Sequence, residues 1–142
     1  MAQEASEMAA FDGPQSGSFC WTEIASSNAE ACKAFYSEVF GWTFQDSQAS
    51  TDGFAYHEFS SGGGYPAGGL YEISAAICGE GELPPPHFMS YVAVDDVDQN
   101  AKLAIELGGK IIKEPTDIPN TGRFAIIQDP TGGMIATFKM QS

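Results

Sequence analysis

The feature that most constrains the fold is an internal repeat: the second half of the chain repeats the pattern of the first. Residues 21–28 (WTEIASSN) and residues 89–96 (MSYVAVDD) are both alternating runs that lead into a polar helix start, at an offset of 68 positions. The same offset aligns Glu38 with Glu106 and Gly41 with Gly109. The pattern therefore predicts two copies of one structural module.

The first copy begins with a strand over residues 19–25, which places Phe19, Trp21, Glu23 and Ala25 on one face. Residues 27–30 (SNAE) have the sequence of a capping box, with Ser27 as the predicted N-cap of a helix. A stripe at helical spacing follows, and Gly41 is a natural stop; the stripe contains Cys32, Phe35, Tyr36, Val39 and Phe40. Ile24 faces away from Glu23 and is predicted to pack under Phe35 and Val39.

Short strands are then predicted over residues 42–47, 54–59 and 67–74, where Gly68 and Gly69 are interpreted as hairpin and bulge glycines. Three prolines make residues 79–86 a stiff linker. The second copy gives a strand over 87–95, a helix over 97–107, and strands over 110–114, 123–128 and 134–140.

Each half is thus a βαβββ module, and one module alone leaves a sheet face bare. The predicted fold class is α+β: two modules form a cupped eight-stranded mixed sheet around a cavity, with helices outside. We expect a flexible N-terminal tail over residues 1–17, the first module over 18–78, the linker over 79–86, and the second module over 87–142. All of these belong to one structural domain of the 142-residue chain.

The charge balance excludes several partners. Nineteen acidic against six basic residues give a net charge of −13, and the bases are scattered singly, which argues against nucleic acid and anionic membranes. No apolar run approaches the length that a bilayer requires. Three cysteines without a CxxC spacing indicate neither a disulfide framework nor a zinc site, so we expect reduced thiols and a cytoplasmic location.

Several segments carry a resemblance to a known family: residues 19–24 (FCWTEI), 34–44 (AFYSEVFGWTF), 91–97 (YVAVDDV), 107–110 (LGGK) and 122–132 (GRFAIIQDPTG). Together they resemble the vicinal oxygen chelate superfamily, which groups glyoxalases, bleomycin-resistance proteins and dioxygenases. The closest likeness is to its small two-module, glyoxalase-like branch. The resemblance implies the cupped sheet and its cavity, but a fold does not fix the chemistry.

In metal-dependent members of the superfamily, four side chains from the first, fourth, fifth and eighth strands hold a divalent ion. The resemblance places three of these positions at Trp21, Met89 and Ala136, whose side chains do not bind such ions. The fourth position lies near residues 70–72. We therefore expect no metal and no cofactor. The open alternative is a divalent metal in a shifted site made of Glu23, Glu72 and His87.

Two residues are candidate acid–base groups. Glu23 shares a strand face with Trp21, and a carboxylate on an apolar cavity wall has its pKa raised, which suits a general base. Its other reading is a structural acceptor for a backbone or tyrosine donor. His87 lies on the same predicted strand face as Met89 and Tyr91, so it is a candidate base at the cavity rim, or else a solvated or capping group. For His57 and Tyr56 the pattern does not say which of them faces inward.

A ligand pocket is predicted from inward aromatic and sulfur-containing side chains, which are otherwise ordinary core. They are Trp21, Tyr71, Met89, Tyr91, Met134 and Phe138. The leading hypothesis is a protein that binds a small organic molecule, with lyase- or isomerase-type acid–base catalysis at Glu23. The alternatives are a non-catalytic, drug-sequestering protein of the bleomycin-resistance type and a metal-dependent lyase or dioxygenase. We also expect a homodimer, because short sheet edges tend to be covered.

Overall fold

The computed structural model describes residues 14–47, 50, 54–62, 66–75 and 81–141. Within these residues, eight strands form one mixed sheet in the order β2-β3-β4-β1-β5-β8-β7-β6, and the helices that follow β1 and β5 pack against it. The predicted α+β fold of two βαβββ modules is confirmed. Most of the predicted tail and residues 79–80 of the predicted linker lie outside the described residues.

The first module comprises β1 (Phe19–Ser26), α1 (Ala29–Phe40), β2 (Thr43–Asp46), β3 (Tyr56–Ser60) and β4 (Gly68–Glu72). The second comprises β5 (His87–Ala93), α2 (Val97–Glu106), β6 (Lys110–Ile118), β7 (Gly122–Gln128) and β8 (Met134–Met140). Among the described residues, no helix is long and apolar enough to cross a membrane.

The two modules meet at the centre of the sheet, where β1 and β5 run antiparallel and pair Glu23 with Met89. Each central strand also has a parallel neighbour from its own module, β4 beside β1 and β8 beside β5. A register shift at the start of β1 pairs Phe19 with Val92, so that Phe19 leaves the face of Trp21 on which strict alternation had placed it.

Both helices cover the same side of the sheet, which we call the helix face. Under α1, Ile24 and Leu70 are buried with Ala29. Arg123 ties α2 to this face, because its guanidinium bonds both carboxylate oxygens of Asp98 at 2.9 Å. The opposite side, which carries the side chains of alternate residues, is called the open face.

The residues that begin and end α1 are only partly those predicted. The N-cap is Asn28 and not Ser27: the Asn28 side chain accepts from the amide of Ala31. The helix ends at Gly41 as predicted, with the left-handed φ of 73° that favours glycine.

The predicted buried stripe of α1 is wrong in part. Cys32 and Tyr36 pack against the core, but Phe35 and Val39 do not cover Ile24, since both are exposed. The helix is rotated so that only one edge of its apolar surface meets the sheet.

Candidate functional site

The open face at the centre of the sheet carries a buried apolar cluster. Met89, Tyr91 and Ala136 are its buried members, contributed by β5 and β8. Trp21 and Phe138 pack against them, together with Phe124 and Ile126 of β7. Alternation along β1, β5 and β8 brings these side chains to one side, as the pleat of a sheet requires.

Glu23 lies in this cluster and accepts two hydrogen bonds from tyrosines. The Tyr56 hydroxyl donates to its Oε2 and the Tyr91 hydroxyl donates to its Oε1, both at 2.8 Å. The indole nitrogen of Trp21 donates to the Tyr56 hydroxyl at 2.9 Å. One carboxylate thus joins residues of three strands, two of them from the first module and one from the second.

The direction of these bonds follows from the chemistry of the groups. An indole N–H only donates and an ionised carboxylate only accepts. Tyr56 therefore accepts from Trp21, and its own proton turns to Glu23. The Tyr91 hydroxyl likewise turns its proton to Glu23, at the other carboxylate oxygen.

Burial dominates the electrostatics of the site. It raises the pKa of Glu23, although the hydroxyls of Tyr56 and Tyr91 and the nearby His87 act to lower it. Burial, followed by the charge of Glu23, also raises the pKa of Tyr91 and of Tyr56, so both phenols stay protonated and remain donors. The result is a carboxylate whose proton affinity is increased in an apolar setting.

The glycine at position 69 makes this arrangement possible. Gly69 pairs with Glu23 on one side and with Glu58 on the other, so it separates Glu23 from β3. A Cβ at Gly69 would lie 1.9 Å from the Tyr56 hydroxyl and 2.2 Å from the ring carbon that bears it. The absent side chain is what lets the Tyr56 phenol cross β4. Gly69 is thus a close-approach glycine and not the hairpin or bulge glycine that the sequence predicts.

The other candidate residues lie around this centre. Tyr71 shares the open face and its ring centroid is 6.0 Å from that of Phe54. His87 is opposite Ala25, two residues along from the Glu23–Met89 pair, and its Nδ1 lies 2.8 Å from the carbonyl oxygen of Pro85. His87 acts to lower the pKa of Glu23 through its charge, but its hydrogen-bond partner is the backbone.

Tyr56 is the site residue that sequence reasoning missed. The pattern left the inward face of its strand undecided; the structure turns Tyr56 to the open face and His57 to the helix face, where His57 Nδ1 lies 3.2 Å from Asp46 Oδ1. The available signal was the glycine pair that precedes Leu70, which indicates room for a large neighbouring side chain.

The shifted metal site is not assembled. Glu72 pairs with Ser26, on the helix face, and its Oε1 accepts from the amide of Ala29 at 2.9 Å. It therefore points away from Glu23. In the described part of the chain, no group of three or more His, Cys, Asp or Glu side chains is placed to hold a metal ion.

A shallow groove lies elsewhere on the sheet, two strands from Glu23. It follows β2 and β3 and is lined by Thr43, Phe44, Gln45, Glu58, Phe59, Ser60 and Pro66. Glu58 accepts from Ser47 there at 2.8 Å. The groove offers no acid–base pair comparable to Glu23 and its tyrosines, so we place the candidate site at Glu23.

Sequence comparison gives the family. The profile of the Glyoxalase/Bleomycin resistance protein/Dioxygenase superfamily matches residues 18–137. The chain belongs to this superfamily. It is 33% identical over 127 residues to the "Putative glyoxylase CFP32" of Mycobacterium bovis, covering 88% of this chain and 45% of that protein. It is 30% identical over 130 residues to the "Anthracycline biosynthesis protein DnrV" of Streptomyces peucetius, covering 87% and 47%.

Structure comparison supports the same fold. The methylmalonyl-CoA epimerase of Mycobacterium tuberculosis superposes with a TM-score of 0.60 at 14% identity, covering 93% of each chain. At that identity the likeness concerns the fold alone. The chain spans about half the length of the curated relatives it matches.

Proposed function

We propose that this protein binds a small, flat organic molecule on the open face and moves a proton on it without a metal ion. The observation that carries the proposal is the Glu23 carboxylate, held between the hydroxyls of Tyr56 and Tyr91 in an apolar cluster, with a raised pKa. A base of increased proton affinity, close to donors that stay protonated, suits acid–base chemistry at neutral pH.

The proposed reaction is a proton shift next to a carbonyl group. Glu23 takes a proton from the carbon beside the carbonyl, and the electron pair of the broken C–H bond moves to the carbonyl oxygen as an enolate. Protonated Glu23 then returns a proton to another carbon of the enolate system, which is an isomerisation that consumes no oxidant or co-reactant. When the proton on Glu23 first exchanges with solvent and is returned to the original carbon, the net change is hydrogen exchange at that carbon.

Tyr91 is the proposed donor to the enolate oxygen. Tyr56 is held by the indole of Trp21, whereas the Tyr91 hydroxyl makes its hydrogen bond to Glu23. When Glu23 becomes protonated, its O–H can donate to Tyr91, and the Tyr91 proton is then free to turn to the ligand. Removing one such donor from an oxyanion costs about a hundredfold or more in other enzymes.

The ligand class follows from the lining. Trp21, Tyr71, Met89, Tyr91 and Phe138 offer aromatic faces and a polarisable sulfur around the Glu23 carboxylate, which suits an aromatic or polycyclic ketone. The relative named as an anthracycline biosynthesis protein supports this class, since anthracyclines are polycyclic aromatic ketones. We propose the cytoplasm as its setting, in line with the free thiols of Cys20 and Cys32.

Two probes test the proposal. Alizarin, a flat hydroxyanthraquinone, tests binding through quenching of tryptophan fluorescence. β-Tetralone tests catalysis, because its acidic CH₂ group exchanges with deuterated water and the exchange is visible by proton NMR. We expect Glu23→Gln to bind alizarin and to lose about a hundredfold or more of the catalysed exchange. Glu106→Gln, an exposed substitution of the same kind on α2, should retain both.

A non-catalytic binding protein is the second candidate. It is favoured by the saturation of Glu23, whose two oxygens each already accept a hydrogen bond. Alizarin binding that weakens in Glu23→Gln, with no exchange of β-tetralone above the uncatalysed rate in the wild type, would select this function. Absence of alizarin binding in the wild type would count against both.

A further inference from the structure

The second module keeps acidic side chains off its half of the open face. Strands β5, β7 and β8 contain no aspartate or glutamate. Of the two acids in β6, Asp117 accepts from Arg123 at 2.9 Å on the helix face, and Glu114 makes no ion pair with its neighbour Lys113. In a chain with 19 acidic residues and a net charge of −13, this half of the face is therefore unusually free of negative charge.

Two lysines of β6 lie on this face instead. Lys113 pairs with Ile126 and Lys110 pairs with Gln128, and directly opposed residues of a sheet share a face. Ile126 packs against the apolar cluster that contains Tyr91, which identifies the face as the open one. Both lysines are exposed. Within the part of the chain that the structure describes, neither of them forms an ion pair.

The remaining basic residues lie elsewhere. Lys33 belongs to α1 and Lys102 to α2. Lys139 and Arg123 are paired across β7 and β8, on the helix face where Arg123 bonds Asp98. The positive charge of the open face therefore comes from the two lysines of β6.

One row of paired residues crosses the sheet from Lys113 to the candidate site. Lys113 pairs with Ile126, Ile126 with Ala136, and Ala136 with Tyr91. Three strand spacings separate the backbones of Lys113 and Tyr91 by roughly 14 Å. The Glu23 carboxylate lies beyond Tyr91 and accepts from its hydroxyl at 2.8 Å. A molecule that lies along this row meets the Glu23 site at one end and an ammonium group at the other.

The surface between the two ends is aromatic. The ring centroids of Phe124 and Phe138 lie 6.3 and 6.5 Å from that of Tyr91, and both phenylalanines are only half-buried. Their open ring faces offer a floor for a flat ring system. A few fused rings, together with the flexible four-carbon stem of a lysine, cover the distance along the row.

We propose that the ligand carries an anionic substituent, and that Lys113, with Lys110 beside it, binds this group at the edge of the open face. The inference rests on the proposed function, because it adds the far end of a ligand whose carbonyl group meets Glu23 and Tyr91. It narrows the ligand class to acidic aromatic ketones. Two exposed lysines suit a single carboxylate or a comparable anion, whereas a net charge of −13 opposes a polyanion.

A pair of probes with the same ring system tests the anion site: anthraquinone-2-carboxylate and anthraquinone-2-carboxamide. Binding is followed at neutral pH and low salt by quenching of tryptophan fluorescence. The wild type should bind the carboxylate about fivefold more tightly than the carboxamide, and added salt should reduce this preference. Lys113→Gln should remove most of the preference and Lys113→Glu should reverse it, because the carboxamide depends on the rings alone. Lys110→Gln/Lys113→Gln should bind the two probes alike.

Lys102→Gln is the matched control, because this exposed lysine of α2 loses the same charge outside the open face. It should keep the preference for the carboxylate, and circular dichroism checks that every variant is folded. A wild type that binds both probes equally, or that binds neither, overturns the anion site. So does a preference that Lys102→Gln reduces as much as Lys113→Gln.

The two proposals fail in different ways. If the wild type binds alizarin and exchanges β-tetralone but does not prefer the carboxylate, the proposed function stands without the anion site. If the preference depends on Lys113 but β-tetralone is not exchanged, the anion site stands and the proton transfer at Glu23 does not.

Discussion

Gly69→Ala is the substitution whose consequence the structure specifies most closely. The new methyl group would lie 1.9 Å from the Tyr56 hydroxyl and 2.2 Å from its ring carbon, far inside contact distance. Tyr56 must therefore move, and its 2.8 Å hydrogen bond to Glu23 breaks. We expect the protein to lose stability and the Glu23 carboxylate to lose one of its two donors.

The size of the loss can be estimated from its two parts. Overpacking a buried site costs about 1–3 kcal/mol, and losing a hydrogen bond to a charged group costs about 1.5–3 kcal/mol. The two overlap, since one movement of Tyr56 causes both. We expect the free energy of unfolding to fall by about 2–4 kcal/mol, measured by urea denaturation.

A double-mutant cycle isolates the cause. In a Tyr56→Leu background the clash is gone, so Gly69→Ala should cost much less there. Gly68→Ala is the matched control, because its Cβ would lie 1.8 Å from the backbone oxygen of Thr22, which no change at Tyr56 relieves. Equal costs of Gly69→Ala in both backgrounds would refute the reasoning that Gly69 makes room for Tyr56.

Four further outcomes can be tested. Because burial raises the pKa of Glu23, ionising this side chain in the folded protein costs stability. The penalty is absent well below pH 4.5 and grows as pH rises through the folded pKa. The stability of Glu23→Gln relative to the wild type should therefore increase with rising pH, measured by denaturation at several pH values. Arg123 lowers the pKa of Asp98, so the ion pair stabilises the fold above the ordinary carboxyl range, and this stabilisation is lost as pH falls. Arg123→Gln should therefore lower the melting temperature slightly at neutral pH and low salt, and by less in acid or high salt. Trp21→Phe removes the donor that fixes Tyr56 and keeps an aromatic ring in the lining, and we expect slower exchange of β-tetralone, followed by proton NMR. Elemental analysis of the desalted protein should find no stoichiometric transition metal.

The repeat explains why so much of the fold was predictable. Alternation in one strand and helical spacing after it, seen twice, define two modules that share a sheet, and the central antiparallel pair follows from their equivalence. Strand parity also placed Glu23 beside Trp21, because side chains two apart share a face whatever the partner strands are.

The tyrosine partners of Glu23 were harder to predict. Tyr91 is directly on the neighbouring strand and was among the expected residues, but Tyr56 reaches Glu23 across β4. That contact depends on three-dimensional register, which alternation within one strand does not fix. Glu72 illustrates the same limit: an alternative metal site grouped it with Glu23, although it caps α1 on the other side of the sheet.

The error at α1 has a different physical cause. Phe35 and Val39 belong to an apolar helix surface wider than one sheet contact needs, so apolar identity did not distinguish the buried edge from the exposed one.

The most direct test of the account is the titration of Glu23 itself, followed by carbon NMR of protein labelled at its glutamate carboxyls. We predict one resonance that is missing in Glu23→Gln, that titrates above the ordinary value of 4.5, and that shifts when alizarin is added. A Glu23 carboxyl that titrates at or below its ordinary value, and does not respond to alizarin, would contradict the claim that this carboxylate is the chemical centre of a ligand site.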